Sequence, residues 1–235
     1  MRRRPRGRPP VSSRPMDELT GLCTRLLGDR TAAARAAERA READGRVGQL
    51  AGALAECRAV RETGSASAGP PPASGRDGLA AAVARELGAA TARLPQRQQE
   101  ALALRELLGF SHELIAEVLE IEPAAATALL ARSRIRLRAQ LRGVKTEAGA
   151  CAERDRMMRT ATLRQDGQPV AEADQDWLFD HLGHCDGCRR LHASMLEASV
   201  CYRGWPVSGT SAQHVAEAER PAVETLEPSR AAAGT

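Results

Sequence analysis

The chain has 235 residues, enough for one large domain or two to three small ones, and only 2% of them are aromatic. Any core must be built from Leu, Ala, Val and Ile, so the expected fold is all-α, in small helical bundles, because β-branched and aromatic runs are scarce. The net charge is +4, yet residues 1 to 15 carry six Arg and no acid, which leaves −2 for the rest of the chain.

The basic N-terminus, residues 1–15, reads as a disordered arm; no apolar stretch follows it, so it is not a secretory signal. No apolar run reaches the roughly eighteen residues of a membrane span, which makes the cytoplasm the expected location. Residues 16–62 show helical periodicity, with Leu19, Leu22, Leu26 and Leu27 in one stretch and Leu50, Leu54, Cys57 and Val60 in another. Residues 63–78, containing "GSASAGPPPASG", form a flexible linker too rich in Gly, Ser, Pro and Ala to bury a face.

Residues 79–143 carry the clearest pattern. After Leu94-Pro95, an apolar face of Ala101, Leu104, Leu107 and Leu108 predicts a helix that Gly109 and Phe110 end. Ser111 is placed to cap the next helix, with Glu113 in its first turn and Leu114, Ile115, Val118 and Leu119 as its buried stripe. A turn through Glu120, Ile121 and Glu122 leads to Pro123, suited to a first helical position, and a long Arg-containing helix follows. This is the order of a helix-turn-helix, whose second helix ordinarily enters the DNA major groove.

Six cysteines point to metal or redox chemistry rather than a disulfide framework. Cys23 and Cys57 sit singly in helical patterns and read as small core residues. "HLGHCDGC" holds His181, Cys185 and Cys188 in an H-x3-C-x2-C spacing, with Cys151 thirty residues before the histidine. Cys-x2-Cys on a turn lets two thiolates grip one ion, and a His one helical turn earlier can face the same point. Cys151, at the head of a preceding helix, suits the fourth position. The expected cofactor is Zn2+ on Cys151, His181, Cys185 and Cys188. Four protein donors leave no open position for water, so the site reads as structural rather than catalytic. A redox-sensing use of the thiolates is the lesser alternative. His184 is a poorer ligand by its place beside Cys185, and His192 and Cys201 read as bystanders. Residues 151–203 form this unit, and 206–235 read as a disordered tail.

The stretch from Leu94 to Leu141 resembles region 4 of the sigma-70 family, in the extracytoplasmic-function group. Weaker likeness extends upstream, where "LCTRLLGDRTAAARAAERARE" is similar to the start of sigma region 2. The cysteine-histidine unit resembles the zinc-binding anti-sigma domain, Asp166-Gly167 included as its turn. These resemblances imply a transcription regulator, not an enzyme, acting in transcription initiation, with RNA polymerase core and promoter DNA as partners. The residues they assign to DNA are Thr127, Arg132, Arg134 and Arg136. Two departures reduce that expectation. Residues 16–62 contain no Phe, Tyr or Trp to stack an unpaired promoter base. In the recognition helix, Thr127 and Leu129 stand where the family carries Lys and Arg, and Glu120 and Glu122 replace the turn Gly and capping Ser. DNA binding is therefore expected to be weak, salt-sensitive and poorly selective. The alternative is a degenerate module that sequesters another sigma factor or polymerase without initiating transcription.

Overall fold

A computed structural model describes residues 15–64, 78–143 and 151–205. The arm, most of the linker and the tail expected from the sequence lie outside the described residues. Within them, ten α-helices and one π-helical turn account for the regular structure, in keeping with the all-α expectation. No helix among the described residues is long and apolar enough to cross a membrane.

The first unit packs α1 (Pro15–Leu27), α2 (Arg30–Ala40) and α3 (Gly45–Glu62) against one another. Asp29 caps α2, its carboxylate accepting from the amides of Thr31 and Ala32 at 2.8 and 2.9 Å. The buried face of α2 is alanine throughout, Ala32, Ala33, Ala36, Ala37 and Ala40, so its neighbours approach closely. Gly52 of α3 lies against Ala40, where an added Cβ would stand 3.6 Å from the alanine.

The second unit begins with α4 (Gly78–Ala92) and α5 (Gln96–Leu102), which runs on into a π-helical turn, Ala103–Leu107. Gly109 leaves that turn in the left-handed region, φ 69°. Ser111 then caps α6 (His112–Leu119), its Oγ accepting from the Leu114 amide at 3.3 Å. Pro123 opens α7 (Pro123–Arg142) at its first turn, and Gly143 closes it with φ 63°. Gly109, Ser111 and Pro123 thus act as the break, cap and helix start expected from the sequence. The π turn is not, and it displaces the side chains beyond it by one position relative to a regular helix.

The third unit is α8 (Arg154–Gln165), α9 (Glu172–His184) and α10 (Asp186–Arg203). The linker divides the first two units in sequence but not in packing. Leu22, Leu54, Ala101, Leu104, Ile115 and Leu130 belong to one continuous core. Helix α7 is the axis of the whole body. Leu130 faces this first core, and Ala131 and Ile135 face a second core with Met157, Leu178, Leu191 and Met195. Leu137 joins a third with Ala90, Leu94, Ala198 and Tyr202. A helix covered on so many sides has little free surface left for a ligand.

Candidate site at the helix-turn-helix and the metal cluster

Helix α7 carries arginines in two rows. Arg132 and Arg136, four residues apart, are exposed to solvent. Arg134, Arg138 and Arg142 form the second row, and each is held by a carboxylate of the third unit. The Arg134 side chain is 0% exposed. Its Nη2 donates to Asp166 Oδ1 at 2.6 Å and to Glu106 Oε1 at 2.6 Å, and its Nε donates to Glu106 Oε1 at 2.8 Å. Arg138 and Arg142 both donate to the Glu197 carboxylate of α10, Arg142 at 2.9 Å.

Asp166 is the centre of this arrangement. It sits where α8 ends, just before Gly167 turns the chain with φ 66°. Oδ2 lies 2.8 Å from His112 Nε2, and Oδ1 is shared by Arg134 and by Arg105, the latter at 3.2 Å. Arg105 also donates to the Asp166 carbonyl at 2.8 Å and to the Phe110 carbonyl at 2.6 Å, so it ties the π turn to the end of α8. Burial alone would raise the Asp166 carboxyl, but the hydrogen bonds from His112 and Arg134 prevail and hold it at about 2. Burial likewise opposes the Arg134 charge, and the neighbouring Glu106 and Asp166 outweigh it, keeping the guanidinium above its ordinary value. Glu106 completes the network by accepting from Ser199 Oγ at 2.8 Å and Arg203 Nε at 2.9 Å.

Two of the four residues assigned to DNA are thus placed in the interior, and this differs from the sequence expectation. Arg134 is enclosed for the reason just given. Thr127 is buried, donating to the Pro123 carbonyl at 3.1 Å, with His112 Nδ1 2.8 Å from its Oγ1. The Thr127–His112–Asp166 chain has the connectivity of a nucleophile, base and orienting acid. Its hydroxyl, however, is sealed from solvent and spent on a helix carbonyl, so nothing can be attacked by it. It fastens α6, α7 and α8 together. Arg132 and Arg136 keep the exposed positions expected of them.

The surface that such a motif would turn to DNA is ringed by acids. Glu113, Glu117, Glu120 and Glu122 are exposed along α6 and the turn, and the first exposed residues of α7 are Pro123, Ala124 and Ala125. Glu120 adopts φ 53°, the left-handed conformation that a glycine would take without strain.

Across the third unit, Cys151, His181, Cys185 and Cys188 bring their ligand atoms within 4.8 Å of one another. Cys151 Sγ and His181 Nε2 are 3.6 Å apart. Local structure explains the convergence. His181 lies in the last turn of α9, Cys185 joins α9 to α10, and Cys188 opens the first turn of α10. Trp177, one turn before His181, stacks on its ring with centroids 5.0 Å apart, and the Arg156 guanidinium lies over the indole, 4.0 Å from its centroid. The Cys185 thiol is held below its ordinary value, chiefly by the backbone amide of Cys188. Cys188 is pushed up to about 12, first by burial and then by the adjacent thiols. Three cysteine sulfurs crowded with one imidazole suit a shared cation, whose charge would offset the mutual repulsion of the thiolates. His184 points elsewhere, its Nδ1 2.8 Å from the Asp180 carbonyl.

Residues 84–137 match the family model described as sigma-70, region 4. The match supports a sigma-70 region 4 domain over less than a quarter of the chain, and with it a sigma-factor-like role in transcription. RNA polymerase core and DNA are the partners that such a domain implies. No curated protein and no solved structure matches the chain. The matched span contains Arg105, His112, Thr127, Arg132, Arg134 and Arg136, so the residues gripped by Asp166 belong to the region 4 domain itself.

The sequence had singled out the four cysteine and histidine residues and the Asp166-Gly167 turn. It had not singled out Glu106, His112 or Glu197. One signal was available for Arg134, which lies in phase with Leu130, Leu137 and Leu141 on a buried side of α7. An arginine in register with leucines calls for a buried acid somewhere in the chain.

Proposed function

We propose that this chain is a sigma-factor-like regulator of transcription initiation, of the extracytoplasmic-function type, held closed by its own zinc-binding, anti-sigma-like unit. Residues 16–62 act as a reduced region 2, 79–143 as region 4 and 151–203 as the inhibitory unit, all in the cytoplasm alongside polymerase. The observation that carries the reading is Asp166. A carboxylate from the third unit occupies the cationic centre of the region 4 domain, bonded to His112, Arg105 and Arg134. Carboxylates there and at Glu197 take the place that phosphates of a nucleic acid would otherwise compete for. Tethering in one chain raises the effective concentration of such an inhibitor to about millimolar for a short flexible linker.

Zinc is the ion that the donor set favours. Three thiolates and one imidazole are a closed tetrahedral set, and bonds of about 2.0–2.3 Å place the ligand atoms roughly 3.3–3.8 Å apart. Cys151, His181, Cys185 and Cys188 would hold it. Bound there, it would pin the head of α8 to the α9–α10 junction, a structural service rather than a catalytic one. The unit is small, and its stability would depend on the metal.

A second reading, favoured by the acids at Glu113, Glu117, Glu120 and Glu122, is that the helix-turn-helix docks on a protein. The chain would then sequester a sigma factor or polymerase without initiating. Run-off transcription with core polymerase separates the two. Initiation that appears or rises when Asp166→Ala and Glu197→Ala are combined supports the regulated sigma. Inhibition of another sigma factor's transcript, with none of its own, supports sequestration. Absence of both effects, and of any association with core polymerase, removes the transcriptional reading. Metal analysis of the purified chain tests the other half: one equivalent of zinc is expected, lost in Cys185→Ser.

A further inference from the structure

Among the described residues, one buried arginine lies outside both clusters. Arg25, on α1, is 7% exposed, and no carboxylate among the described residues pairs with it. Its Nη2 donates to the Trp205 carbonyl at 2.8 Å. Its guanidinium carbon lies 4.1 Å from the centroid of the Trp205 ring and 5.0 Å from that of Tyr202. Among the described residues its Nε and Nη1 have no hydrogen-bond partner. Burial presses this guanidinium below the ordinary arginine value. A buried arginine held by rings and one carbonyl, with no acid, depends wholly on those aromatic neighbours.

The same tryptophan touches a second helix. Its ring lies over Gly88 of α4, where an added Cβ would stand 3.4 Å from Trp205 Cζ2. Tyr202 and Trp205 meet edge to face, their centroids 5.7 Å apart. Tyr202 is fully buried among Ala90, Leu94, Leu102, Leu137 and Ala198.

We propose that Trp205 is a latch: just past the end of α10, its ring plugs a socket built by Arg25 of α1 and Gly88 of α4, fastening the inhibitory unit to both other units at once. Glu197 and Ser199, which grip Arg138, Arg142 and Glu106, lie on α10, which ends at Arg203, two residues before the plug. Trp205 is tied back to α10 by its amide, which donates to the Tyr202 carbonyl at 3.2 Å, so α10 links the two attachments and displacing it at one end displaces it at the other. Opening delivers the Arg25 charge to solvent, so the first unit becomes more basic only when the third departs. The latch is a property of the packing and stands apart from any contact with polymerase.

The chain has two tryptophans, Trp177 and Trp205, so Trp177→Phe leaves Trp205 as the sole indole emitter. In that background, with zinc content and helicity checked, acrylamide quenching reports the latch. Arg25→Ala and Gly88→Leu should each raise the quenching constant at least twofold and shift emission to the red. The glycine substitution favours its own helix, so it serves if the arginine variant folds poorly. Asp166→Arg, which sets a cation against Arg105 and Arg134, should do the same if clasp and latch open together. Unchanged quenching in a helical Gly88→Leu protein overturns the latch. Unchanged quenching in Asp166→Arg alone overturns the coupling. Failure of run-off transcription touches neither result.

Discussion

The two arginine rows of α7 have the same residue type, the same helix and nearly the same sequence positions, yet opposite fates. Arg132 and Arg136 stand in solvent, whereas Arg134, Arg138 and Arg142 are each bound by an acid of the third unit. The difference shows that a count of basic residues in a recognition helix does not measure its capacity for nucleic acid. Which row is free depends on what the rest of the chain has laid against it. In this chain the row that continues the buried face is the row that is taken.

The contrast can be broken most violently at Arg134. Arg134→Ala removes the buried cation shared by Glu106 and Asp166, which keep Arg203, Arg105 and His112, and loss of one partner from such a group costs up to about 3–5 kcal/mol. Arg132→Ala, two residues earlier and exposed, should stay within about 0.5 kcal/mol of the parent. Urea unfolding of the two variants measures both, and equal midpoints would remove the distinction.

Acid probes the same centre from the other side. The Asp166 carboxyl sits at about 2, below its ordinary 3.8, so its contribution is fully present above about pH 5 and is lost as pH falls towards 2. That depression corresponds to the order of 2 kcal/mol. Asp166→Asn should lose this part of the acid dependence, whereas mutation of the exposed arginine row should leave it intact. Stability measured from pH 6 to pH 3 checks the sign.

Smaller effects sharpen the picture. Glu120→Gly relieves a left-handed backbone at the turn and should stabilise the protein by about 1 kcal/mol, read as a higher thermal midpoint. Glu197→Ala should cost less than about 1 kcal/mol, because Glu197 and Arg142 are both substantially exposed. Its larger consequence is electrostatic, since it frees two cations at once.

Local chemistry made much of this legible in advance. Ser111, Pro123 and the leucine spacing announce the helix-turn-helix because capping and periodicity act within a few residues. The H-x3-C-x2-C spacing announces the ligand cluster because a turn and one helical repeat bring those side chains together. The pairing of Arg134 with Asp166, thirty-two residues away, leaves no such trace. Periodicity tells which residues share a face but not which element will cover it, and α7 has several faces covered. The same holds for Arg25 and Trp205, separated by 180 residues. The π turn was hidden for another reason, because "ALREL" is ordinary helix composition and the register changes only when Gly109 and Phe110 close it.

The salt dependence of duplex DNA binding tests the closed arrangement most directly. With Arg132 and Arg136 exposed and unclaimed by the third unit, α7 should contribute about −1.8 to the log–log slope of the parent chain, at roughly 0.9 per phosphate contact. Combining Asp166→Ala with Glu197→Ala releases Arg138 and Arg142, while Arg134 keeps Glu106, so the slope should steepen by about a further 1.8 with tighter binding at low salt. An unchanged slope and affinity in that variant would contradict the claim that the third unit withholds the basic face of α7.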